Sequence, residues 1–362
     1  MPPPVVEAHG PPHLRRLCPT LDLPWVSLGE FPTPVERLEL AGCAAAEVWI
    51  KRDDRSGKPY GGNKVRKLEL LLARALEAGQ RTAVTVGAYG SHHALATAIY
   101  AREVGLGSHL VLYPQPLTEH VLDDLLLDHA VGAELTRAAG PIRAVWRSRK
   151  LGKRADTARI APGGSDALGT VGFVEAGLEL GAQVEAGELP SPDAIVVAAG
   201  TCGTAAGLAL GCELAGLETR VVAVRVVPAV ITNRFTVRRL KRGALKLLRR
   251  AGLEAPLRAS VPVEIEPRQL GAGYGVPTPA AEDAVTRMAQ AGIEVETTYT
   301  GKAAAALFQA GAFAGERVLF WHTYSSVDLA PRLAEVDPGE LPAAFHPALL
   351  EGGRLPSQED PA

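Results

Sequence analysis

Lys64 directly follows a Gly61-Gly62-Asn63 turn and opens a leucine-rich helical pattern. Glycines let the backbone bend sharply and approach a bound group closely. At a helix N-terminus the macrodipole disfavours a protonated amine. A lysine nitrogen of lowered pKa is a nucleophile suited to forming a Schiff base with an aldehyde. A second chemical element is Gly200-Thr201-Cys202-Gly203-Thr204, placed after a buried strand and before a small-residue helix. Backbone N–H groups and the start of the helix make such a turn a phosphate cradle, with the threonine hydroxyls as extra donors. The alternative for this motif alone is a tight turn with no ligand. Neither Gly-Lys-Ser/Thr nor an early G-x-G-x-x-G is present, which argues against a nucleoside triphosphate or a dinucleotide.

Other residues fall at strand ends. Ser91 and His92 follow Gly87-Ala88-Tyr89-Gly90, again between a strand and a helix. Ser91 is either a capping serine or a ligand contact at the carboxyl end of a sheet, and His93 reads as a core histidine. Tyr274 lies in a glycine-braced loop, and Tyr299 precedes Thr300-Gly301-Lys302. Each tyrosine suits a pocket wall or ordinary packing with a bonded hydroxyl. Thr323 ends a last apolar strand.

Strand-like and helix-like segments alternate around these residues. The strands read as 47–51, 82–86, 108–113, 194–198, 220–226 and 317–321, with helices over 65–78, 91–104, 205–214 and 279–291. That rhythm predicts parallel sheets covered by helices, an α/β fold. The 362 residues are 47% hydrophobic and carry a net charge of -2, which gives no global field for nucleic acid or an anionic membrane. Basic stretches at 143–159 and 238–250 read as solvated amphipathic faces. No apolar run reaches membrane-span length, and the N-terminus lacks a signal-peptide pattern. Four cysteines show neither disulfide-frame nor zinc-site spacing, so no metal is expected and a reducing cytoplasm fits. Residues 1–20 read as a poorly ordered arm and 353–362 as frayed.

Taken in order, the chain resembles the 1-aminocyclopropane-1-carboxylate deaminase / D-cysteine desulfhydrase family of pyridoxal phosphate enzymes. The resemblance runs through Phe31-Pro-Thr-Pro34, Ile50-Lys-Arg-Asp-Asp54, Gly61-Gly-Asn-Lys64, Ser91-His-His93, Pro162-Gly-Gly-Ser-Asp-Ala-Leu-Gly169, Gly200-Thr-Cys-Gly-Thr204, Gly273-Tyr-Gly-Val-Pro277, Tyr299-Thr-Gly-Lys302 and His322-Thr323. It implies a fold type II architecture similar to the tryptophan synthase β subunit, with two open twisted parallel sheets and helices on both faces. The larger domain is expected at 1–64 plus 176–345, the smaller at 65–175, and a tail at 346–362.

The resemblance implies pyridoxal 5'-phosphate as cofactor and Lys64 as both its Schiff-base lysine and the base at the substrate Cα. Ser91 would contact the substrate carboxylate or, as proposed for the deaminases, act as a nucleophile. Tyr274 and Tyr299 would face the substrate. Asn63, His92, Gly200, Thr201, Cys202, Gly203, Thr204, Thr300 and Thr323 would surround the cofactor, Thr323 near its ring nitrogen. Thr300 stands where the deaminases have glutamate, His92 where the family has asparagine, and Tyr324-Ser325 where it has two glycines. The expected activity is a lyase reaction, α,β-elimination from a small amino acid as in D-cysteine desulfhydrases. The alternatives are deamination of 1-aminocyclopropane-1-carboxylate by a carbon–nitrogen hydrolase, and a biosynthetic or non-lyase cofactor-binding protein. A cytoplasmic homodimer is implied, with no nucleic-acid or membrane partner.

Overall fold

A computed structural model describes residues 5–355. It forms two compact units. The larger holds residues up to 74 and 164–327, the smaller 75–163 and the residues from 328 onward. In chain order the larger unit begins with α1 (Pro12–Leu17), β1 (Val35–Leu38), β2 (Glu47–Lys51) and α2 (Val65–Glu77), the last of which crosses the boundary. The smaller unit follows with β3 (Thr82–Ala88), α3 (His92–Glu103), β4 (Gly107–Tyr113), α4 (Glu119–Ala130), β5 (Glu134–Arg137), α5 (Pro141–Leu151) and β6 (Thr157–Arg159). The chain then re-enters the larger unit with α6 (Ala167–Glu185), β7 (Ala194–Ala199), α7 (Gly203–Ala215), β8 (Arg220–Arg225) and α8 (Arg234–Arg250). It finishes there with β9 (Val263–Glu266), α9 (Pro279–Gln290), α10 (Thr300–Leu307) and β10 (Arg317–Trp321).

The smaller sheet is four parallel strands in the order β5-β4-β3-β6. The larger has six, β1-β2-β10-β7-β8-β9, parallel except for β1 at one edge. Alternation along β10 explains the helical cover of the larger sheet. Val318 and Phe320 face one core with residues of α9 and α10, while Leu319 and Trp321 face another with residues of α6 and α7. The chain is therefore α/β, with parallel sheets flanked by helices.

The close approach of α6 and α7 aims the start of α7. A Cβ on Gly207 would lie 2.4 Å from the Thr170 carbonyl oxygen, so only glycine permits this crossing. The 238–250 stretch is a single amphipathic face of α8. Val237, Leu240, Ala244 and Leu248 are buried there, and Lys241 pairs with Glu213.

Two features differ from expectation. The N-terminal stretch contains a helix rather than an unstructured arm. Glu175 on α6 accepts the His13 N–H at 2.7 Å and the Leu14 N–H at 2.8 Å, satisfying donors of the first turn of α1. The C-terminal residues up to 355 also pack into the smaller unit. Phe345 is fully buried with its ring 5.6 Å from that of Tyr89, and Arg354 pairs with Asp123 at 2.5 Å. The observed units thus differ in extent from the expected domain ranges.

Candidate active site

The lysine turn is held by the segment that follows β10. The Asn63 N–H donates to the Thr323 carbonyl at 3.2 Å, and the Gly62 N–H to the Asp53 carbonyl at 2.7 Å. Gly62 sits at φ 87°, and a Cβ there would come within 2.8 Å of the Thr323 carbonyl oxygen. Ser325 accepts the Gly61 N–H on its hydroxyl at 2.9 Å. The Tyr324-Ser325 departure therefore supports the turn directly. Asn63 then bridges two functional elements. Its Oδ1 accepts from Lys64 Nζ at 2.5 Å, and its Nδ2 donates to Thr204 Oγ1 at 3.1 Å.

Lys64 as a side chain is half-buried, yet its amine lies deep enough for desolvation to dominate. Its pKa falls to about 8, with Glu296 opposing the shift. Roughly a tenth of the amine is then uncharged at pH 7, far more than for an ordinary lysine, and that is the form that attacks an aldehyde or takes a proton. Residues immediately after Lys64 are charged but buried. Arg66 bonds Asp53 and Glu179, and Glu69 accepts from the Trp25 indole. Lys67, on the first turn of α2, is different. Burial and then the Lys64 charge push its pKa well down. Its Nζ donates to Ser165 Oγ at 3.1 Å, and Ser165 Oγ lies 2.6 Å from Thr201 Oγ1.

This cluster closes on the glycine-threonine turn. Cys202 precedes α7 in a left-handed conformation at φ 68°, a strained choice for a non-glycine residue. The first helical bond of α7 runs from the Ala206 N–H to the Cys202 carbonyl. The N–H groups of Gly203, Thr204 and Ala205 thus precede the helical ladder and suit an anion. A Cβ on Gly203 would meet Ser165 Oγ at 2.4 Å and Lys67 Nζ at 3.0 Å. Backbone donors, two hydroxyls and the Lys67 amine converge at Gly203. A phosphate dianion matches that donor set, and Lys64 supplies the amine for an aldehyde on the same molecule. The residues present fit pyridoxal phosphate.

The tyrosines pair with each other. Their hydroxyls are 2.8 Å apart and their rings meet edge-on with centroids at 5.8 Å. Buried Lys302 donates to the carbonyls of Leu270 and Gly273, at 2.9 and 3.1 Å, and so anchors the Tyr274 loop. Thr300 is buried, and its hydroxyl donates to Glu296 Oε1 and accepts the Glu296 N–H, both at 3.1 Å. Glu296 also accepts N–H groups from Thr298, Tyr299 and Thr300, which caps α10. Burial holds the imidazole of His322, the residue before Thr323, down to about 4 and therefore neutral at pH 7.

Lys64, Asn63, the 200–204 turn, Tyr274, Tyr299, Thr300 and Thr323 all belong to the larger unit, Ser91 and His92 to the smaller. Ser91 is the N-cap of α3 and accepts the Ala94 N–H at 3.3 Å. His93 bonds Thr85 at 2.9 Å in the core, as expected. His92 Nε2 lies 2.8 Å from His120 Nε2. A cavity of about 460 Å³ in the larger unit lies elsewhere, against α1 and α6, and Lys64 does not line it.

Sequence reasoning did not single out Lys67, Ser165 or Glu296. Lys67 had a signal, a second lysine one helical turn after Lys64. Glu296 had none, because its role depends on where α10 begins.

Comparison with known proteins agrees with this geometry. Residues 26–323 match the family described as pyridoxal-phosphate dependent enzyme. A protein of Arabidopsis thaliana named bifunctional D-cysteine desulfhydrase/1-aminocyclopropane-1-carboxylate deaminase, mitochondrial, is 33% identical over 82% of this chain and 77% of its own length. A D-cysteine desulfhydrase of Salmonella schwarzengrund is 35% identical over 78% of this chain and 87% of its own. A crystal structure titled as an ACC deaminase homologue superposes with a TM-score of 0.72 at 30% identity, covering 90% of this chain and 99% of the other. These matches support a lyase or deaminase and give no support to the carbon–nitrogen hydrolase alternative. The chain belongs to the pyridoxal-phosphate dependent enzyme family, among relatives named for D-cysteine desulfhydration and 1-aminocyclopropane-1-carboxylate deamination.

Proposed function

We propose that this chain catalyses α,β-elimination from a small amino acid with a leaving group on Cβ, D-cysteine first, giving a 2-oxo acid, ammonia and sulfide. The single observation that carries this is the Lys64 amine, lowered to about 8 and tied through Asn63 to an anion cradle that also holds Lys67. Bound pyridoxal phosphate supplies an aldehyde that condenses with amino groups and an electron sink for a carbanion. The chain's residues do the rest. Lys67, Ser165, Thr201, Thr204 and the first N–H groups of α7 hold the phosphate. Lys64 in its uncharged form takes the Cα proton, the Cβ–S bond breaks as the thiolate leaves and is protonated, and the enamine left behind takes up one water to give the 2-oxo acid and ammonia.

Tyr274 and Tyr299, through their shared hydroxyl contact, orient the substrate and hold a proton for the leaving group. Ser91 supplies a hydroxyl to the substrate carboxylate, and His92 belongs to the cofactor surroundings, as the resemblance implies. Thr323 offers a neutral hydroxyl to the ring nitrogen. Thr300 places no ionised group there, and the nearby Glu296 carboxylate is committed to capping α10. A less protonated ring suits loss of a good leaving group better than opening a cyclopropane. 1-Aminocyclopropane-1-carboxylate is the second substrate to test, since one relative carries both names. The reading includes a cytoplasmic homodimer, the location supported by four cysteines without a disulfide.

The test is release of sulfide and 2-oxo acid from D- and L-cysteine, other β-substituted amino acids and the cyclopropane substrate. Lys64→Ala is expected to remove the visible absorbance of lysine-linked cofactor and to lower kcat by at least about 10²–10⁴-fold. A protein with that absorbance intact and no 2-oxo acid release from any of these substrates overturns the reading.

A further inference from the structure

The smaller unit carries a three-residue cluster that the elimination chemistry does not use as a unit. His92 begins α3, and His120 and Asp124 are one turn apart on α4, so both project from one face of that helix. His92 Nε2 and His120 Nε2 lie 2.8 Å apart, and Asp124 Oδ2 is 3.6 Å from the first and 3.7 Å from the second. The circle through three points so separated has a radius of about 2.0 Å, the length of a Zn–N or Zn–O bond. A point near the plane of the three atoms is therefore at bonding distance from all of them.

Burial grades in a useful order. The Asp124 side chain is 5% exposed, His92 12% and His120 38%. The carboxylate is the most buried of the three and His120 the most exposed. Two imidazoles and one carboxylate are the donors of a borderline transition ion, whereas magnesium and calcium take oxygen ligands. Sequence spacing hid the set, since the two histidines come from different helices 28 residues apart.

We propose that His92 Nε2, His120 Nε2 and Asp124 Oδ2 bind one divalent transition-metal ion, with zinc as its representative, through three protein ligands and an open coordination position. The ion takes no step in the proposed elimination, although His92 is also among the residues that the resemblance places around the cofactor, and it pins the start of α3 to α4.

The experiment uses cofactor-loaded full-length protein, stripped with a chelator and titrated calorimetrically with zinc chloride, followed by metal analysis after desalting. The expected result is one zinc per chain with micromolar or tighter affinity. His120→Ala, a change at the most exposed of the three, should weaken binding at least about tenfold while visible absorbance and Tm stay near wild type. Asp124→Asn should weaken it similarly. Cobalt in place of zinc should give d–d absorption of a low-coordinate site that His120→Ala abolishes. No zinc uptake, or equal affinity in wild type and His120→Ala, overturns the proposal. If Asp124→Asn fails to fold, His120→Ala and the cobalt spectrum still decide it.

Discussion

Lys67 is the residue whose surroundings ask most clearly for a ligand. It is buried, it sits near a second lysine, and both desolvation and that neighbour disfavour its charge. A phosphate dianion in the glycine cradle reverses this balance, because an opposite charge at contact favours the ammonium. A hydrogen bond to a charged group contributes about 1.5–3 kcal/mol, which corresponds to roughly 10–100-fold in affinity. We therefore expect Lys67→Met to raise the dissociation constant for pyridoxal phosphate by about that factor. Titrating cofactor-free protein with the cofactor while following visible absorbance measures it. An unchanged constant would place the phosphate elsewhere. Lys64 and the 200–204 turn were legible in the sequence because their signals are local: glycines, hydroxyls and a lysine within a few positions. Lys67 was hidden inside a leucine-rich helix, and only the crossing of the chain by Ser165 and Gly203 turns it towards the cradle.

Elements show the same division between local and distant causes. The strand at 317–321 matched its predicted limits, and the apolar side of α8 lies where the basic stretch implied, because both follow from short-range periodicity. The helix α1 was not legible. Its sequence is proline-rich, and its cap comes from Glu175, 162 positions from His13. Glu175→Ala removes the acceptor of two N–H groups at once. Each buried donor left unsatisfied costs about 1–3 kcal/mol, so a loss of about 2–6 kcal/mol in stability is expected. Urea unfolding reads the loss. Amide exchange separates it from a general weakening, since protection should fall first at His13 and Leu14 and remain across the β7–β8 pair. Uniform loss of protection, or none, would show that this contact does not secure α1.

Across the whole molecule, the chain leaves the larger unit after residue 74, returns at 164 and leaves again at 328. The smaller unit is thus assembled from two separated pieces of sequence, and the second piece closes it. Sequence reading gave residues up to 345 to the larger domain and 346–362 to a tail. What it lacked was the long-range partner. Phe345 is fully buried against Tyr89, the residue before the Gly90-Ser91 turn, and Arg354 reaches Asp123 on α4. Truncating a buried phenylalanine to alanine costs about 3–5 kcal/mol, from lost burial and the cavity left behind. Phe345→Ala should therefore lower stability by about that amount. The effect should be unequal between units. Amide exchange in β3, α3 and α4 should accelerate, because their unit has lost its closing contact, while β7, β8 and α7 keep their protection. Cofactor affinity, which the cradle on α7 sets, should change little at temperatures where the variant is folded. Equal acceleration in both units would mean that they unfold as one cooperative body. No acceleration would mean that the C-terminal segment merely lies on a unit already complete without it.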